Sequence, residues 1–493
     1  MVRARRRLAA LLLVATFVVA CTDRTPPVVA APSATVTPTA NPNATPTPLS
    51  TTSIDALLRR AVCWYEDPAL ARKCVPVGPD VLTSIDVMGR SNDRRLIAPL
   101  VDMLNVDVGW NGAVEPALER LTSDHVESAD RARAWREWLT AHAPMPTPPG
   151  YAEWKARLLA LTSSVGTQPP YTQLLTDKLG AALPLLHWTQ VQPNASRPLS
   201  TPRAVAGRAA TWLDPNEVVY GVAVAGEARA YPQRIVAWHG AVNDVVGGQP
   251  VLLSYCLPCG GAAAFDRRTS TVTLEFGTSG LSLQSRSLLL DRQTPRLWDA
   301  LTGAAIGEPR AALAAVPMFT TTWADWFARH PATTVLDVTT GVIRDYAPGA
   351  ANRDVLDAPG PLYPVTPVDA RLEPKPMVLG VSAGGQQRAY PVADVTAKRI
   401  IQERIGTQDV VIVCEGDGKA IGAYEATGST FVRIIDSGVD LVLADSDGNR
   451  WAMRESALIN ERSRKTLPAL DTRETYWFAW ASAYPGTSIY GKP

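Results

Sequence analysis

One segment of this chain is written twice. YGVAVAGEARAYP from Tyr220 matches LGVSAGGQQRAYP from Leu379, 159 residues further on. The register holds without a gap: Gly247 meets Gly406, Val251-Leu252-Leu253 meets Val410-Val411-Ile412, and Phe265-Asp266 meets Tyr424-Glu425. At a slightly smaller offset Trp298 to Ile306 matches Trp451 to Ile459, and TTWADWFARHPATTVL from Thr321 matches TYWFAWASAYPGTSIY from Thr475. Self-similarity at a fixed offset marks a repeated structural unit. Two homologous domains are therefore expected, residues 203–345 and 366–493, joined by a Pro- and Asp-rich connector around Ala347 to Pro376.

Within the first copy, short β-rich runs alternate with turns. Val218 to Ala225 and Ala228 to Tyr231 form an expected hairpin about Gly226-Glu227, ended by Pro232. Ile235, Val236, His239, Val242, Asn243 and Val246 recur at helical spacing, which predicts a helix running to a stop at Gly247-Gly248. Val251 to Tyr255 is a continuous apolar strand delivering Cys256; Ala262 to Asp266, Val272 to Phe276 and Ser287 to Leu290 are further strand candidates. Strands combined with one helix make each copy a β-rich α+β domain.

The residues ahead of the repeats differ in kind. Arg3, Arg5, Arg6 and Arg7, the apolar run Leu8 to Val19, and Val18-Val19-Ala20-Cys21 have the layout of an export signal over residues 1–21. The last four of these resemble a lipobox, whose cysteine would carry lipid; cleavage before an unmodified cysteine is the alternative. The protein is thus expected to be exported and held at the cell membrane by lipid on Cys21. Residues 22–52 are rich in Pro, Thr, Ala, Ser and Val and read as a tether.

Residues 53–145 carry apolar residues at three-and-four spacing, among them Leu96, Ile97, Leu100, Val101 and Leu104, and predict a small helical domain. SNDRRLIAPLVDML within it resembles one HEAT-like unit. Cys63 and Cys74 flank Asp67-Pro68, where an oxidising compartment favours a disulfide over two separate thiols. PMPTPPG closes this domain, and residues 151–202 are read as a helical connector. A net charge of +1, with no basic run beyond the signal, gives no support for a nucleic-acid partner.

The repeat serves as an internal control, because matched positions share fold requirements without having to share chemistry. Tyr-Pro, the glycines and the apolar strand recur in both copies. His239 becomes Lys398, Asn243 becomes Gln402, Cys256 becomes Glu415 and Cys259 becomes Gly418, so the reactive groups belong to the first copy alone. A Cys-x-x-Cys turn at a strand end can clamp a soft metal or close as a disulfide. His239 would complete a three-donor set with Cys256 and Cys259, with Asn243 or Asp244 orienting its second nitrogen, for copper or for zinc with an open position. Three readings stay open: a metal site, a thiol–disulfide redox pair, and a non-enzymatic envelope binding module with a structural disulfide. No nucleophile elbow or phosphate loop is present. Trp323, Trp326, Trp477 and Trp480 recur at equivalent spacing, which favours core packing over an exposed sugar platform.

YPQRIVAWHGAVNDVVGGQPVLLSYCLPCGGAAAFDR from Tyr231, FGTSGL at 276–281, DRQT at 291–294 and LWDALTGAAIG at 297–307 resemble the bacterial exported family catalogued as domain of unknown function 3179. The resemblance covers roughly the C-terminal three-fifths and implies a shared fold and export, with no established activity. This chain departs from the family's pattern at Leu283-Gln284-Ser285-Arg286 and in the order Cys256-Leu257-Pro258-Cys259.

Overall fold

The computed structural model describes residues 49–64, 78–106, 109–162, 171–308, 310–351, 353–416, 420–436 and 441–492. The expected signal, Cys21, most of the tether, Cys74 and Gly418 lie outside the described residues. Ser50 caps the first helix, Thr51–Ala61, by accepting from the Ser53 amide at 3.1 Å. Helices Pro79–Arg90, Ile97–Val106, Asn111–Thr122, Arg131–Ala141 and Tyr151–Ala160 follow. Ile97–Val106 is buried on every face, so it is the centre about which the others pack. Cys63 is disulfide-bonded.

The expected helical connector is helical only in part. It runs through Tyr171–Leu174 and a 3-10 segment, Asp177–Leu185, and then becomes strand His187–Trp188. That strand pairs antiparallel with Phe276–Leu283, Trp188 opposite Leu281. The apolar core of the helical part accordingly continues into Leu281, Leu288, Leu290 and Leu297 of the β-rich part. No described helix is long and apolar enough to cross a membrane.

The rest of the chain is mixed α/β with several separate sheets. In one, Met318–Thr322, Val218–Val224, Glu227–Pro232 and Thr334–Leu336 lie side by side, with Ala204–Ala206 at the edge. Farther along, Asp471–Tyr476, Met377–Ala383, Gln386–Pro391 and Ser488–Ile489 take the same order, again with the last pair parallel. Both sheets place a glycine under a tryptophan. A Cβ on Gly221 would lie 2.2 Å from Trp326, and one on Gly380 would lie 2.2 Å from Trp480. Each indole then donates to a threonine hydroxyl, Thr333 at 3.0 Å and Thr487 at 2.9 Å. Trp323, Trp326, Trp477 and Trp480 are all buried, which assigns them to packing.

Two elements differ from their sequence expectations. The helix holding His239 is Gln233–His239 only, and Ala241–Val246 is a strand paired with Gln249–Cys256. Gly240, at φ +68°, ends the helix, and β-branched valines continue it as strand. Gly247-Gly248 is therefore a hairpin turn instead of a helix stop. Extended strand also begins at Phe276 instead of Val272, because Asn243 clamps the Phe276 backbone, donating to its carbonyl and accepting from its amide, each at 2.8 Å.

Candidate functional site

Strand Gln249–Cys256 lies inside a four-stranded sheet between Ala241–Val246 and Gly261–Asp266, and its end presents Cys256. The next four residues form a tight turn in which the Cys259 amide donates to the Cys256 carbonyl at 3.1 Å and the Gly260 amide to that of Leu257 at 3.1 Å. Cys256 and Cys259 are joined as a disulfide with their Cα atoms 5.2 Å apart. Both residues are buried, at 1% and 0% exposure, which leaves little route for a partner thiol. The Ser287 amide donates to Cys256 Sγ at 3.4 Å.

The turn is held from outside by strand Asp471–Tyr476. The Cys259 carbonyl accepts from the Tyr476 amide and from the Thr475 hydroxyl, both at 2.9 Å. Gly260 sits at φ +70° beneath the Tyr476 ring, and a Cβ on Gly261 would lie 2.1 Å from the Glu474 carbonyl oxygen. Glycine is required at the second position for backbone-to-backbone approach, a geometric demand independent of any sulfur chemistry.

His239 is buried and already engaged on both sides. Its Nδ1 donates to the Arg197 carbonyl at 2.6 Å, and its Nε2 lies 2.6 Å from the Tyr346 hydroxyl. A carbonyl only accepts, so Nδ1 carries the proton and Nε2 of the neutral ring accepts from Tyr346. Burial lowers the pKa of His239, opposed by the bond to Arg197 and reinforced by Arg344, which holds the ring neutral. Asn243 is committed to Phe276 and, at 3.3 Å, to the Leu199 carbonyl. Asp244 accepts from Arg229 at 2.7 Å and from Tyr231 at 2.9 Å. Neither residue bonds to His239: the orienting groups expected among Asn243 and Asp244 are in fact Arg197 and Tyr346. Among the described residues no three His, Cys, Asp or Glu side chains are grouped as a metal site.

Beside the turn lies a pocket of about 280 Å³. Leu257 and Pro258, the two residues between the cysteines, form one wall; Trp238, Tyr255, Thr278 and Arg344 line others. Arg344 lies over the Trp238 ring at 5.6 Å, and the Trp238 indole donates to the Asp345 carbonyl at 2.7 Å. Trp238 was within reach of motif reading because it precedes His239. Arg344 gave no signal, since it reaches the site from a loop without periodicity.

The matched positions farther along hold different chemistry in similar places. Lys398 donates to Tyr490 at 2.8 Å where His239 meets Tyr346. Gln402 clamps the Phe431 amide at 2.8 Å where Asn243 clamps that of Phe276. Glu415, in the place of Cys256, is ion-paired with Arg329.

A family model described as "Protein of unknown function (DUF3179)" matches residues 198–487, more than half of the chain. No curated protein and no solved structure matches it.

Proposed function

The chain belongs to the DUF3179 family, and we propose that it is a non-enzymatic binding module of the cell envelope whose first β-rich domain takes a small ligand in the pocket beside Cys256 and Cys259. The carrying observation is that the residues between the cysteines wall this pocket while the sulfurs lie joined and buried behind it. In this reading the disulfide sets the shape of a wall, and the apolar lining with a few polar groups is typical of small-molecule sites. An oxidised cysteine pair suits an extracytoplasmic address, in keeping with the export signal and lipid anchor read at residues 1–21. The matching strand orders support an internal duplication, with the helical residues as a HEAT-like mount.

A copper or zinc site at His239, Cys256 and Cys259 has less support. It would need reduced sulfurs and an imidazole released from at least one of Arg197 and Tyr346. Ligand-observed NMR with a library of small aromatic fragments tests the pocket. Binders should lose at least about tenfold in affinity (about 1.4 kcal/mol) in Trp238→Ala, with unchanged melting. Binders indifferent to Trp238→Ala and Arg344→Ala, or none at all, would remove this reading.

A further inference from the structure

A second cavity, of about 300 Å³, adjoins the pocket beside the cysteines; it lies between helix Ile97–Val106, the start of helix Arg131–Ala141 and strand His187–Trp188. Thr189, Leu362 and Tyr363 line both. Each cavity alone is at the lower limit for a small-molecule site, roughly 300–1,000 Å³, whereas the two together fall well inside that range. The segment they share is held in place. Arg133 donates to the Pro361 and Leu362 carbonyls at 3.2 and 3.1 Å, the Tyr363 amide donates to the Ser285 hydroxyl at 3.1 Å, and Gln284 and Thr366 exchange two hydrogen bonds at 3.0 and 2.8 Å.

The second cavity offers a polar group that the fold leaves unused. His187 Nδ1 is buried without a hydrogen-bond partner among the described residues, while its ring packs against that of Tyr363 at 4.8 Å. Keeping a buried nitrogen unpaired costs stability, which points to a use for it outside folding. Burial, reinforced by Arg136, Lys155 and Arg133, pushes its pKa down to about 3, so the imidazole is a neutral donor and acceptor. Neutral groups stand beside it: Asn105 is tied to the same strand by a 2.9 Å bond to the Trp188 carbonyl, and Thr189 and Gln190 follow in the chain. The nearby charges are matched. Glu137 pairs with Arg133 at 2.9 Å, Asp102 pairs with Arg136 and Lys155, and Asp130 caps its own helix by accepting from the Arg133 amide at 3.0 Å. Neutral hydrogen-bonding groups in a charge-balanced cavity, with the half-buried rings of Tyr363 and Trp238 along the way, suit an uncharged, hydroxyl-rich chain with apolar faces better than an ion.

We propose that the ligand is a neutral oligosaccharide lying across Tyr363, with one end against Trp238 and the other hydrogen-bonded to His187; this rests on the pocket reading given above. Saturation-transfer NMR of the full chain with linear tetrasaccharides of glucose and of N-acetylglucosamine, run beside the aromatic fragments, is the test. A tetrasaccharide should bind more tightly than its monosaccharide and lose at least about tenfold in affinity in His187→Phe and in Tyr363→Ala. His187→Gln, which keeps a donor and an acceptor, should stay closer to the parent. Melting of His187→Phe should not fall, because an apolar ring replaces a polar atom without a partner. Fragments held at Trp238 should be indifferent to His187→Phe. If fragments bind and no tetrasaccharide does, or if His187→Phe and Tyr363→Ala bind the tetrasaccharide as the parent does, the oligosaccharide is wrong and the pocket reading stands. If neither fragments nor sugars bind, both fall.

Discussion

Replacing Asp102 by alanine is expected to destabilise the helical part of the chain by about 3–5 kcal/mol. Asp102 is buried within the central helix Ile97–Val106. Its Oδ1 accepts from Arg136 at 2.7 Å and from Lys155 at 3.0 Å, and its Oδ2 accepts from the Tyr151 hydroxyl. The cations gain further partners: Lys155 donates to the Leu183 and Leu186 carbonyls at 3.1 and 2.8 Å, and Arg136 to that of Pro184 at 2.9 Å. None of the three ionised groups exceeds 3% exposure, so each has surrendered its hydration. Burial already pushes Lys155 down to about 8, even with Asp102 beside it. Removing the carboxylate leaves two desolvated cations without their counter-charge, which costs far more than the pair is worth intact. Denaturant unfolding of Asp102→Ala measures this. A loss below about 1 kcal/mol, the range of an exposed pair, would show that the cluster is not dry.

Glu474 should contribute a fall in the stability of the β-rich part as pH rises from about 4.5 to about 7, read as the difference between the parent and Glu474→Gln, because buried His187 and His239 contribute in the opposite sense over the same window. Glu474 lies on strand Asp471–Tyr476, which packs against the Cys256–Cys259 turn. The residue as a whole is half-buried, but its carboxyl is enclosed, with Tyr220 and Thr320 nearby. Burial pushes its pKa up to about 7, only partly opposed by Thr320. The unfolded chain, with an ordinary carboxyl, releases its proton near 4.5, while the folded chain keeps it until about 7. The stabilisation is thus fully present below the lower value, declines between the two, and is gone above the upper one. Its full size is at most about 3 kcal/mol. Melting of parent and Glu474→Gln across this window should give curves that diverge toward neutral pH, with the variant the more stable there. Parallel curves would mean that the carboxyl is hydrated.

Much of the β-rich fold was readable because strands announce themselves locally. Val251 to Tyr255 is an unbroken apolar run, and Gly226-Glu227 marks the hairpin that the structure contains. The region from Val242 to Val246 misled because its apolar residues fit helical spacing when joined to Ile235, Val236 and His239. The backbone turn at Gly240 separates the two periods, and a lone glycine does not say which element it ends. Site residues were legible as residue types and not as partners. His239 stands out in a chain with five histidines, yet Arg197 and Tyr346 come from loops 42 and 107 positions away. Asp102, Arg136 and Lys155 were invisible for a related reason: charged residues on helices look solvated until packing turns them toward one another.

The role proposed for Cys256 and Cys259 is that of a structural staple behind a binding pocket. Chain purified from an oxidising compartment without chelator should be submitted to elemental analysis and to thiol titration after denaturation. Copper and zinc far below one per chain are expected, with Cys256 and Cys259 unreactive until reduced. Cys256→Ser/Cys259→Ser is expected to lose about 2 kcal/mol from a looser short loop while its folded form still binds pocket ligands. One copper or zinc per chain, lost in Cys256→Ser, would contradict a structural role for the pair.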